Sequence, residues 1–298
     1  MSPQKQLIPL LLAIALLCGI LYLIRPGGPF ADPLVDPDVP SDPSTPSIPQ
    51  DPADPDEPTD PITPTEPTIP TEPTEPADPI EPVEPYEYSC DISAYLPAIS
   101  TSYSDILLVN KTHPLGESYV PQNLIRLNSD ITAGGKAIEL DLTAATALEA
   151  MMLCMRADGI TDTFVTSGYR SYTYQKQLQN KYLNDEMQKA PSLSRDEALA
   201  VVHTYSAPPG KSEHQSGLCV DFITAGMRGN LTNSFEQYAA FAWLQENACQ
   251  FGFILRYPKD KVDVTKYSYE SWHYRFVGRD AAIAITRSGL TLEEYLSR

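Results

Sequence analysis

From Pro37 to Pro85 every third residue of this 298-residue chain is proline, 17 of them in unbroken register. No other feature restricts the fold as tightly. Proline fixes φ and removes a backbone donor, so neither a helix interior nor a central strand survives in such a run. A polyproline II helix has three residues per turn, and these prolines would stack along one edge of it. The intervening Asp, Glu, Ser and Thr are polar and cannot build a core. Residues 26–87 hold 20 of the 29 prolines, 16 acidic residues and no Lys or Arg. Like charges along the rod repel and extend it, and at about 3.1 Å per residue it reaches on the order of 190 Å. Residues 26–87 are therefore read as a disordered or polyproline II stalk that spaces a domain from its attachment point.

That attachment is legible just before the stalk. Residues 7–24 carry no charge and stand between Lys5 and Arg25. Eighteen apolar residues lie near the lower limit for a bilayer-spanning helix. No small-x-small cleavage pattern precedes Arg25, which favours a retained anchor over residues 1–25 rather than a removed signal peptide. Leu17 precedes Cys18, where a lipidation site would want a small residue. One cation on each side orients the helix only weakly. The formal net charge of −18 is a property of the stalk, because residues 88–298 contribute only −4. With no basic stripe there, a nucleic-acid partner is not expected.

Residues 88–298 are long enough for one domain with a proper core. The run 105–111 reads as a strand entering a turn. Residues 143–159 have helical spacing, with Leu148, Met151, Met152 and Met155 near one face and Gly159 at the C-terminal end. Residues 163–171 read as a strand and turn, and 171–189 as a helix. Residues 194–203 form a helix opened by a capping box, Ser194 with Glu197. A strand over 217–223, a helix over 233–252, strands over 253–258 and 271–278 and two short terminal helices complete the pattern. Helices and strands alternate without a regular βαβ period, which predicts an α+β fold around a largely antiparallel sheet.

Four histidines offer chemistry: His113, His203, His214 and His273. SEHQSGLCVD places His214 and Asp221 seven residues apart, and a turn followed by a strand would let both converge. ESWH places Glu270 three residues before His273. Two imidazoles and one carboxylate suit a zinc ion and leave a fourth position open, the mark of catalytic rather than structural zinc. An adjacent carboxylate can then act as general base. The spacing alone is weak, since a lone histidine is more often a satisfied structural residue.

SEHQSGLCVD resembles the S-x-H-x-x-G-x-A-x-D motif of the VanY-type D-alanyl-D-alanine carboxypeptidases, zinc peptidases of the group that includes lysostaphin-type and hedgehog-like domains. ESWH is similar to the family's E-x-W-H. SGYRSYTYQ, LLVNKTHPLGESYVPQNL and WHYRFVG resemble further family segments, in the family's order, from about 106 to 278. The resemblance implies a hedgehog/DD-peptidase-like α+β domain with one Zn2+, held by His214, Asp221 and His273. It implies Glu270 as general base and Arg170 as the cation on the scissile carbonyl, a sound place for a fixed charge. Ser212 and Gln175 are similar to side chains that bind the C-terminal end of the peptide. Trp272 is read as packing the sheet, His203 as structural, and His113 has no assigned role. One position departs from the pattern: Cys219 stands where the family has a small residue, read here as a buried substitute for it, with a soft ligand or a disulfide partner as alternatives. Cys90, Cys154, Cys219 and Cys249 allow two disulfides in an exported domain, although Cys90 lies at the stalk junction, a position read as too distant to pair.

The resulting expectation is a membrane-anchored, cell-surface D,D-carboxypeptidase that removes the C-terminal D-Ala of peptidoglycan stem peptides by zinc-assisted attack of water. The alternatives are an L,D-carboxypeptidase acting on tetrapeptide stems, and a non-catalytic wall-binding domain on the same fold. An adhesin acting through the stalk and a soluble dipeptidase fit the sequence less well.

Overall fold

The structure, a computed structural model, describes residues 86–100 and 106–298. The expected membrane helix, and the stalk up to Pro85, lie outside the described residues. Among the described residues no helix is long and apolar enough to cross a membrane.

A one-turn helix α1 (Leu96–Ile99) precedes two short antiparallel strands, β1 (Leu124–Arg126) and β2 (Glu139–Asp141). β2 runs straight into α2 (Leu142–Ala157), where the Asp141 carboxylate accepts from the Thr143 N–H and caps the helix. Then come β3 (Thr163–Ser167), α3 (Tyr172–Lys189) and α4 (Arg195–Tyr205). Ser171 caps α3, and the expected Ser194–Glu197 capping box opens α4. β4 (Cys219–Thr224), α5 (Ala239–Asn247) and β5 (Phe253–Tyr257) follow. The chain ends through α6 (Val262–Thr265), β6 (Glu270–Phe276), α7 (Arg279–Ser288) and α8 (Leu292–Leu296). The central sheet has the order β3-β4-β6-β5, and all three pairings are antiparallel.

Side chains alternate across a strand, so this sheet has two chemically different faces. Val220, Phe222, Tyr274, Phe276 and Phe253 join Leu148, Met151 and Met155 of α2 in one buried cluster. Each large apolar side chain so buried contributes roughly 1.5–3 kcal/mol. The alternate positions of β4 and β6 carry Cys219, Asp221, His273 and Arg275. The ladder sets Asp221 opposite His273 and Cys219 opposite Arg275. One face of the sheet thus holds the core and the other holds the candidate chemistry.

Three expectations change. Residues 106–109 form no strand. Ile106 and Leu108 pack instead beside Ile254 and Ile285, and the Leu107 carbonyl accepts from the Arg275 guanidinium rather than from a ladder partner. The expected helix over 233–252 is broken. A 3-10 turn (Asn233–Gln237) stops at Tyr238, whose ψ of 151° is extended, and a second 3-10 turn (Ala248–Phe251) follows α5. Tyr238 is turned over Gly226, where an added Cβ would lie 2.6 Å from its hydroxyl.

Cys90 does pair. It forms a disulfide with Cys154 of α2, across a separation of 64 residues, while Cys219 and Cys249 are free and buried. The cross-link ties the start of the described chain to the helix that underlies the sheet. Replacing Cys90 and Cys154 together with alanine is expected to lower stability by about 2–4 kcal/mol, mainly by releasing the unfolded chain. Urea unfolding of the two proteins, each extrapolated to zero denaturant with its own slope, measures it; equal extrapolated stabilities would contradict it.

Candidate metal centre and active site

The site is built where two close backbone approaches bring distant segments together. Gly168 follows β3 and passes against β2, where an added Cβ would meet the Glu139 carbonyl at 2.6 Å. This lets the Gly168 carbonyl reach His214 Nδ1 at 2.6 Å. His214 lies in a 3-10 turn (Glu213–Ser216) closed by Gly217 at φ 69°, a left-handed conformation suited to glycine. The Arg170 N–H donates to the His214 carbonyl at 3.0 Å and locks the two loops together.

Because Nδ1 of His214 is committed to Gly168, its Nε2 carries the lone pair of the neutral ring. That nitrogen faces Asp221 Oδ2 at 3.2 Å, and His273 Nδ1 lies 2.9 Å from Asp221 Oδ1. Donor atoms of His214, Cys219 and His273 also lie within 4.8 Å of one another. All of these residues are buried. Lone pairs turned toward a carboxylate need protons or a cation between them. The electrostatics agree. Burial and Arg170 pull the His214 imidazole down, but Cys219 and Asp221 raise it to about 9. His273 is raised well above its usual range against burial, with Cys219 and Asp221 as its main supports. Burial would lift Asp221 and Cys219, yet the two imidazoles hold Asp221 far down and bring Cys219 to about 7. The cluster gathers positive charge, and its nitrogen, oxygen and sulfur donors fit a small borderline dication such as zinc.

A cavity of about 330 Å3 opens over this cluster. Glu270, at the start of β6, lies on its wall with Oε2 3.8 Å from His273 Nδ1. Burial raises its carboxyl to about 7, against the pull of His273. Arg170, Ser212 and Gln175 line the same cavity. Gln175 Nε2 donates to the Ala207 carbonyl at 2.7 Å, while its Oε1 has no protein partner. The seven residues singled out in the sequence (Arg170, Gln175, Ser212, His214, Asp221, Glu270 and His273) therefore share one cavity. Trp272 packs against the core and also lines the cavity. His203 and His113 do not line it; His113 is held by Asn110 in its own loop.

Sequence reasoning missed Tyr257, which tilts over His273 with ring centroids 4.9 Å apart. Cys219 is buried, as read from the sequence, and its sulfur also lies within 4.8 Å of the imidazole donors, the placement that the soft-ligand alternative requires. Glu213, Arg256 and Arg275 were missed as well, although an arginine inside each of two apolar strands is a signal that a buried carboxylate must oppose it.

A cavity with a nitrogen–carboxylate donor set, a carboxyl poised near neutrality and a free-standing arginine defines a metallopeptidase-type site. The family model described as VanY, D-alanyl-D-alanine carboxypeptidase, matches residues 137–279. The YodJ protein of Bacillus subtilis (strain 168) is 36% identical over 205 residues, covering 68% of this chain and 71% of that relative. A mutant of the vancomycin-resistance D,D-pentapeptidase VanY, solved in complex with Zn(II), is 36% identical with a TM-score of 0.53, covering 64% of this chain and 97% of that one. The LD-carboxypeptidase LdcB is 35% identical with a TM-score of 0.55, covering 64% of this chain and 84% of that one. The chain belongs to the VanY D-alanyl-D-alanine carboxypeptidase family of hydrolases.

Proposed function

We propose that this protein is a zinc-dependent D,D-carboxypeptidase that releases the C-terminal D-Ala of peptidoglycan stem peptides. The observation that carries the reading is the convergence of Glu270, Arg170 and the His214–Asp221–His273 donors on one cavity. His214, Asp221 and His273 would hold the zinc, which would supply Lewis acidity toward the scissile carbonyl. Glu270 takes a proton from the attacking water and returns it to the departing amine. Arg170 holds the negative charge that develops on the carbonyl oxygen. The Ser212 hydroxyl can donate to the terminal carboxylate, and the unpartnered Gln175 Oε1 can accept a peptide N–H. Residues 1–25 anchor the chain in the cell membrane, and the acidic proline stalk carries the catalytic domain outward into the wall.

An L,D-carboxypeptidase is the second reading, favoured by the likeness to LdcB at a TM-score of 0.55. The full chain, given zinc, is assayed on a pentapeptide stem ending in D-Ala-D-Ala and on the tetrapeptide ending in one D-Ala. Release of D-Ala that stops on chelation and resumes with added zinc is the expected result. Faster cleavage of the pentapeptide supports the first reading, and of the tetrapeptide the second. A folded, zinc-loaded protein that releases D-Ala from neither overturns both.

A further inference from the structure

Behind the metal donors lies a buried charge cluster for which the proposed reaction has no use. Glu213, the neighbour of His214, is buried on the polar side of the sheet. Its Oε1 accepts from Arg256 Nε at 2.8 Å and from Arg275 Nη1 at 2.7 Å. Its Oε2 has no hydrogen-bond partner, and neither has His273 Nε2. These two unmatched buried atoms lie 3.6 Å apart. Leaving a buried donor and a buried acceptor both unmade is costly. A small closure between them satisfies both.

His273 turns its other nitrogen, Nδ1, toward Asp221 at 2.9 Å. A ligating histidine uses one nitrogen for the metal and donates the N–H of the other to a carboxylate, carbonyl or water, which fixes both tautomer and ring orientation. We infer that Glu213 is the positioning residue of His273: it accepts the Nε2 proton and so keeps the Nδ1 lone pair on the metal side. The inference rests on the metal reading above. The rival acceptor is Cys219, whose sulfur also lies near the imidazoles.

The carboxylate is itself held in place from a distance. Arg256 sends Nη1 and Nη2 to the two oxygens of Glu293 on α8, at 2.8 and 2.6 Å. Asn110 Nδ2 donates to the same carboxylate at 3.0 Å. Two guanidinium groups face two carboxylates, so Glu213 remains an anion without excess charge beside the metal. The C-terminal helix and the 106–110 segment are thereby connected to one ring nitrogen in the site.

The test uses the full chain with 15N-labelled histidine, which has only four such side chains. Zinc affinity is read by competition with a chelator, and the His273 ring by its 15N and 1H signals in the zinc-loaded protein. The unaltered chain is expected to show a protonated Nε2 and a metal-bound Nδ1. Glu213→Asp keeps the charge that Arg256 and Arg275 need but withdraws the oxygens from His273. It should weaken zinc binding about 10–100-fold and move the Nε2–H signal, while His214 keeps its own. Unchanged affinity and ring signals in Glu213→Asp overturn the inference; if Cys219→Ala moves them instead, the role belongs to Cys219. Should Glu213→Asp fail to fold, Glu293→Gln decides, because it loosens Arg256 without touching His273. A shifted Nε2–H signal with weaker zinc binding supports the inference, and no shift overturns it. An unaltered chain that binds no zinc removes the metal reading, and this inference with it.

Discussion

Glu270→Gln is expected to lower the turnover of D-Ala-terminated peptides about 10²–10⁴-fold, the usual worth of a positioned general acid–base. The carboxyl sits at the first position of β6, opposite Tyr257 beside a register shift in the β5–β6 ladder. That irregularity lets Glu270 face the cavity beside His273. Its Oε2 stands farther from the imidazole than Asp221 does, 3.8 Å against 2.9 Å. These distances accord with the proposal of Asp221 as ligand and Glu270 as proton carrier. Burial lifts the Glu270 carboxyl to about 7, with His273 and Arg170 opposing. A group poised near neutrality can take a proton from water and give it back within one turnover. Glutamine keeps the shape and loses the proton transfer. Turnover and bound zinc are measured on the same preparation. Full activity in the variant would sink the general-base role. Loss of zinc in parallel with activity would move Glu270 into the ligand set instead.

What could be read in advance followed the range of the interactions involved. The capping box of α4 spans four residues, Ser194 to Glu197, and was visible as a local pattern. The apolar spacing that buries Leu148, Met151 and Met155 lies within two turns of α2. His214 and Asp221 are joined by one turn leading into β4, and Glu270 and His273 share β6, so their convergence needed only that turn and the β4–β6 ladder. The role of Arg170 came through resemblance, since no local rule gives an arginine on a loop after β3 a partner. The misses were long-range. Glu213 meets Arg256 and Arg275 across 43 and 62 residues. Cys90 meets Cys154 across 64. The apolar run at 106–109 has the composition of a strand, but its Leu107 carbonyl is taken by a guanidinium and no neighbouring strand is offered. The break at Tyr238 depends on Gly226, in a different segment, leaving room for a phenol ring. Periodicity reports which side chains share a face; it does not report which distant face they meet.

Arg275→Met is expected to destabilise the folded domain by about 3–5 kcal/mol, the cost of breaking a buried ion pair by removing one partner. Arg275 is fully buried in β6, and its guanidinium donates to Glu213 and to the carbonyls of Phe276 and Leu107. Methionine fills much of the volume but removes one charged interaction of Glu213 and the guanidinium's bonds to the Phe276 and Leu107 carbonyls. The effect also carries a pH signature. Burial alone would raise the Glu213 carboxyl, but Arg256 and Arg275 outweigh it and hold the group well below the usual carboxylate range. A carboxyl depressed in the folded state contributes stability that is present above its unfolded pKa, about 4.3, and is lost as pH falls toward the folded value. Removing Arg275 brings the folded value closer to the unfolded one, so less stability remains to be lost. The gap between the unaltered chain and Arg275→Met should therefore be widest at neutral pH and should narrow below about pH 4.3. Urea unfolding of both proteins across that range reads the gap directly. A gap that stays constant with pH would mean that packing, rather than the charge on Glu213, sets the cost of the substitution.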